Sequence, residues 1–150
     1  MTRSVSGGCR CGSVRRRMSG PPTDAHFRHR RMRRRAAGNF FLQVVNAQKT
    51  DIEWTPCRPA HLHSSDAVRR GFCADCGARL TFETLAAKRP HATIGSLDDP
   101  ASVKPATQDG VESRLPWLGD LRRLPEIFTD TLPRANHQHP DHDTSIRPPR

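Results

Sequence analysis

Four of the five cysteines stand in two close pairs, Cys9-x-Cys11-Gly12 and Cys73-x-x-Cys76-Gly77, with residues 12–72 between them. A turn of this kind aims two sulfurs at one point, and the glycine after it can take backbone angles closed to other residues. Two such turns supply four soft ligands, a closed tetrahedral set that leaves no position for water or substrate and suits a structural zinc ion. A redox dithiol at Cys73 and Cys76, or buried cysteines with no shared purpose, is the competing reading. If the four share one ion, the fold must carry the start of the chain to its middle. Cys57, between Pro56 and Arg58, has no pair and reads as a small half-buried apolar residue.

Such a staple matters because the apolar content is thin. Only 34% of the 150 residues are hydrophobic and none is tyrosine, little to set against the conformational entropy that folding removes. The length supports one domain plus a tail. A structural zinc contributes on the order of 10 kcal/mol of folding free energy, enough to offset a poor core. Turn residues mark off short strands over 13–19, 40–45, 52–55, 61–64, 68–72, 79–84 and 91–96, a spacing that predicts a mainly β domain of antiparallel strands. Helical periodicity is brief, over 32–37 and 118–124. Residues 133–150 carry Pro, His, Asp and Arg with almost nothing apolar, the composition of a disordered tail.

The net charge of +10 gathers at one end, since residues 1–35 hold eleven arginines against Asp24 while the rest of the chain balances fourteen basic residues with fourteen acidic ones. The run from Arg28 to Arg35, with Arg15 to Arg17 alongside, points to an anionic partner or to a solvated basic face. No Phe, Tyr or Trp interrupts the run to stack on bases, so nucleic acid is a less favoured partner than a small anion. No apolar stretch approaches the roughly 20 residues that cross a bilayer, and none follows the basic start as a signal peptide requires. The expectation is a cytoplasmic protein without membrane contact, in a compartment where thiols stay reduced and take metal.

Several motifs in order resemble a known family. Gly7-Gly8-Cys9-Arg10-Cys11-Gly12, Phe72-Cys73-Ala74-Asp75-Cys76-Gly77 with Leu80-Thr81-Phe82, Gly95-Ser96-Leu97-Asp98-Asp99-Pro100 and Glu112-Ser113-Arg114-Leu115-Pro116-Trp117 are similar to the successive motifs of the glutathione-dependent formaldehyde-activating (GFA) family, to which centromere protein V is also related. The resemblance implies a β-tent fold over residues 6–128 and a structural zinc on Cys9, Cys11, Cys73 and Cys76. It further implies a second zinc in a cleft and carbon-sulfur lyase chemistry on the adduct of glutathione and formaldehyde.

The family's second zinc sits in a Cys-His-Cys-x-x-Cys motif followed by two basic residues and a later glycine. The matching stretch here is Arg28-His29-Arg30-Arg31-Met32-Arg33, then Arg34, Arg35 and Gly38. Arginine stands in place of all three cysteines. A guanidinium stays protonated and has no lone pair to give a cation, whereas a catalytic zinc needs about three protein ligands and an open position. The expectation is therefore one structural zinc, no catalytic residue, and an inactive or impaired member. The alternative is a module in which Arg28, Arg30, Arg33, Arg34 and Arg35 bind an anion, such as a carboxylate of glutathione, or nucleic acid. His26, His61, His63 and His91 match no ligand spacing, and His137, His139 and His142 read as tail composition.

Overall fold

Ten short strands and one helix form among the residues that the computed structural model describes, 4–47, 51–87 and 90–128. The expected tail at 133–150 lies outside these residues. In chain order they are β1 (Val5–Gly8), β2 (Val14–Met18), β3 (Thr23–Arg28), α1 (Arg31–Ala37), β4 (Leu42–Asn46), β5 (Ile52–Pro56), β6 (Ala60–Ser65), β7 (Val68–Phe72), β8 (Arg79–Thr84), β9 (His91–Thr93) and β10 (Thr107–Asp109). A three-stranded sheet runs β1-β2-β5 and a seven-stranded sheet runs β10-β3-β4-β9-β8-β7-β6. The mainly β, antiparallel expectation holds, with one exception: β10 lies parallel to β3, reached by the long connection that parallel pairing demands.

The strands at Val14–Met18, Ile52–Pro56, Ala60–Ser65, Val68–Phe72 and Arg79–Thr84 fall where alternation and turn residues put them. The apolar stretch at 40–45 starts later than expected, at Leu42, because Phe40 turns aside to pack edge-on against Trp117 at 5.0 Å. The strand expected over 91–96 ends at Thr93 and closes in a 3-10 turn, Ile94–Ser96. Residues 118–124 are helical in a tighter sense, inside a 3-10 run over Pro116–Arg123. Sequence reading missed β3. Asp24 has a positive φ of 52° and the register with β4 shifts between Thr23 and His26, so the strand carries no clean alternation. Helix α1 forms from Arg, Met and Ala, all good helix formers, and stops at Gly38, whose left-handed φ of 62° lets its N–H cap the Arg34 carbonyl.

Met18, Val45, Ala92, Ile94, Leu97 and Val103 form one apolar core, and Leu42, Val44 and Phe82 a second, under α1. The two sheets are joined by polar contacts as well. Gly7 pairs with Leu97 so closely that a Cβ on it would lie 2.3 Å from the Ser96 carbonyl oxygen, which is why glycine stands there. Ser6 donates its hydroxyl to Asp98 at 2.6 Å, and both Nη atoms of Arg15 grip the same carboxylate. Arg16, 1% exposed, donates to the Ser96 hydroxyl at 2.7 Å. Burial, aided by repulsion from Arg15 and opposed by Asp98, holds its guanidinium down at about 10.

These contacts correct one expectation. Arg15 and Arg16 are structural and buried, so of that triplet only Arg17 stays on the surface. Asp98→Ala is expected to strand the Arg15 charge in the interior and to cost about 3–5 kcal/mol, read as a lower midpoint in equilibrium urea unfolding.

Candidate functional site

The β1–β2 turn carries Cys9 and Cys11, and the β7–β8 turn carries Cys73 and Cys76. Each is a tight knuckle. The Gly12 N–H returns to the Cys9 carbonyl at 3.3 Å and the Gly77 N–H to the Cys73 carbonyl at 2.8 Å, with φ of 79° and 76° at the two glycines. The Val14 N–H points at the Cys9 sulfur, 3.2 Å away. Ser13 links the two knuckles by donating to Asp75 at 2.5 Å while its oxygen accepts from the Cys11 thiol at 3.2 Å.

All four sulfurs lie within 4.8 Å of one another. Cys9 and Cys11 are 3.7 Å apart, and Cys11 and Cys73 are 3.9 Å apart. Four thiolates at zinc–sulfur bond length around one ion form a tetrahedron with edges of about 3.8 Å, close to the two shortest separations, so the four sulfurs could close on a single metal ion with small shifts. Burial pushes the Cys9 thiol up, and it pushes the Cys73 thiol up to about 12. Both sulfurs therefore bind metal only by giving up protons. Cys9 and Cys73 are buried with Val14 and Leu80, and Trp54 packs against them. The cluster thus sits where β2 of the smaller sheet meets β8 of the larger. Cys57, expected to be half-buried, is exposed and takes no part.

The arginine run divides between two sides of α1. Arg28 and Arg33 turn inward over the Phe82 ring, with guanidinium carbons 5.2 and 4.0 Å from its centroid. Arg31, Arg34 and Arg35 instead line a shallow depression with Phe40 and Leu115, and Arg30 is exposed beside Gly110. The Arg28 Nε donates to His26 at 2.7 Å and its Nη2 lies 3.2 Å from the His91 Nε2. His26 in turn donates from Nδ1 to the Asp24 carbonyl at 2.7 Å. Both imidazoles thus spend on Arg28 the lone pair that a metal would use. His29, fully buried, faces away and bonds Gln108 at 2.9 Å. His61 and His63 lie on exposed β6, apart from these two. Among the described residues the four cysteines are the one cluster of three or more metal-binding side chains.

Sequence reading overlooked Arg70, on β7, whose guanidinium carbon lies 5.1 Å from the same Phe82 centroid. Its position opposite Phe82 in the β7–β8 register was the available signal, since directly paired residues share a face.

Residues 4–113 match the family model described as "glutathione-dependent formaldehyde-activating enzyme". The fold is similar to the crystal structure of a Rhodobacter sphaeroides protein, with a TM-score of 0.55 at 15% identity, over 69% of this chain and 98% of that one. No curated protein matches the chain in sequence.

Cys73→Ser is expected to abolish tight binding of cobalt(II), seen as loss of the sulfur-to-metal charge-transfer absorption. Cys57→Ser is expected to leave that spectrum intact.

Proposed function

Because the chain belongs to the glutathione-dependent formaldehyde-activating enzyme family, we propose that it is a one-zinc member in which the lyase reaction on the glutathione–formaldehyde adduct is lost. Cys9, Cys11, Cys73 and Cys76 hold the zinc. Ringed by four thiolates, that ion has no open position and supplies folding free energy, on the order of 10 kcal/mol, in place of catalysis. The observation that supports the reading is the presence of Arg28, Arg30 and Arg33 at the three sulfur-donor positions of the family motif, with Arg28 and Arg33 turned inward over Phe82. Positive charge there repels a dication, and the nearest imidazoles are engaged with Arg28.

A second reading, an anion-binding module, is favoured by the same inward guanidiniums, which match carboxylate or phosphate oxygens. Nucleic acid has less in its favour. Arg15 and Arg16 are buried and Arg28 and Arg33 face inward, so a phosphate backbone would meet chiefly Arg30, Arg31 and Arg35. Among the described residues no helix is long and apolar enough to cross a membrane. Reduced thiols at the metal centre favour a cytoplasmic setting.

Elemental analysis is expected to return one zinc per chain, and turnover of the glutathione–formaldehyde adduct is expected to be undetectable. Two zincs per chain with chelator-sensitive turnover would return the protein to the enzymes. Restoring the donors together, Arg28→Cys, Arg30→Cys and Arg33→Cys, is expected to raise the zinc content from one to two per chain.

A further inference from the structure

Between α1 and the larger sheet, cations gather over one aromatic ring without matching acceptors. Arg28 at the end of β3, Arg33 on α1 and Arg70 on β7 all approach the Phe82 ring, with guanidinium carbons 4.0–5.2 Å from its centroid. The His91 ring stands 5.6 Å from that of Phe82. Arg28 is already partnered: its Nε donates to His26 and its Nη2 to His91, and Asp109 lies 3.8 Å from the Nε. Arg33 and Arg70 have no carboxylate within ion-pair distance among the described residues.

The unmet hydrogen bonds lie on the same groups. Arg70 is 4% exposed, yet its Nε and Nη2 are buried with no partner, and so is the Nη1 of Arg33. His91 adds another. Its Nε2 accepts from Arg28, which leaves the proton on Nδ1, and that atom too is buried and unpartnered. Burial above all, with Arg28 beside it, holds the His91 imidazole neutral by lowering it to about 4. A buried donor without an acceptor costs about 1–3 kcal/mol and more when charged. Three of these donors belong to the guanidiniums of Arg33 and Arg70, which both lie against the Phe82 ring.

We propose that Arg33 and Arg70 form, over Phe82 and beside Arg28, a binding site for a small doubly charged oxyanion, sulfate or the phosphate dianion. The charge count sets the valence, because Arg33 and Arg70 are the two cations left uncompensated. Guanidinium forks set the ligand type, since their paired N–H groups match the oxygens of a tetrahedral oxyanion. Phe82 keeps water from beneath the forks and holds their faces by cation–π attraction. The site rests on the one-zinc reading in that no dication shares it.

Calorimetric titration tests the site, using protein of measured zinc content and inorganic sulfate or phosphate in a chloride buffer of constant ionic strength. One saturable site per chain is expected, with chloride failing to compete at equal ionic strength. Arg70→Met and Arg33→Met are each expected to weaken binding at least tenfold, while Arg58→Gln, at an exposed position, stays within about twofold. Arg70→Met is also expected to unfold at higher temperature than the parent in the absence of sulfate, since it removes an uncompensated buried charge, and to gain nothing from added sulfate. If that variant fails to fold, Arg33→Met carries the same reading. Glycerol phosphate distinguishes the source: binding as tight as inorganic phosphate makes the ligand the head of a phosphomonoester, and loss of binding makes it the free ion. No saturable sulfate or phosphate binding by protein with one zinc per chain overturns the anion site alone, as does undiminished binding by both methionine variants. Two zincs per chain overturn the one-zinc reading instead.

Discussion

Two tight turns facing each other across the sheet boundary govern this structure. The smaller sheet contributes one and the larger sheet the other, and their four sulfurs converge within 4.8 Å. Apolar packing reinforces that boundary, with Val14, Leu80 and Trp54 beside the cluster and Val5, Met18 and Ile52 against Val45 and Ala92 farther along. Polar contacts complete the join. The Ser13–Asp75 bond ties one turn to the other, and the Arg15–Asp98 clamp repeats the connection farther along the sheets. A chain with 34% hydrophobic residues thus adds sulfur, carboxylate and guanidinium to its apolar packing to hold two sheets together.

Arginine serves three separate ends within the first half of the chain. Arg15 and Arg16 are interior braces, each bonded to the segment around residues 96–98. Arg28 and Arg33 turn inward over Phe82, and Arg30, Arg31 and Arg35 remain on the surface. The linear sequence shows one basic block. Which of its members meet water is decided by strand alternation and by the helix that Gly38 ends.

Legibility followed the same division. Cys9, Cys11, Cys73 and Cys76 were readable because ligand spacing is a local property of the turn, and the strands at 14–18, 52–56, 68–72 and 79–84 were readable from alternation between turn residues. Strand β3 was hidden by a positive φ at Asp24 and a slipped register, and β10 by being three exposed polar residues whose only reason to be extended is their partner. Arg70 could not be joined to Arg28 and Arg33 without the β7–β8 register. The candidate set Arg28, Arg30, Arg33, Arg34 and Arg35 was drawn along the chain, whereas the groups around Phe82 come from four strands and a helix.

The pairing of β3 with β10 fixes an order of events. Strand β3 is complete by residue 28, yet its outer neighbour ends at residue 109, and the brace on Arg15 waits for residue 98. Closing such distant partners is slow, because loop entropy must be spent before the contact rewards it. During synthesis the amino-terminal third therefore leaves the ribosome with its thiols, guanidiniums and strand edges exposed, and it gains shelter only when most of the domain has emerged.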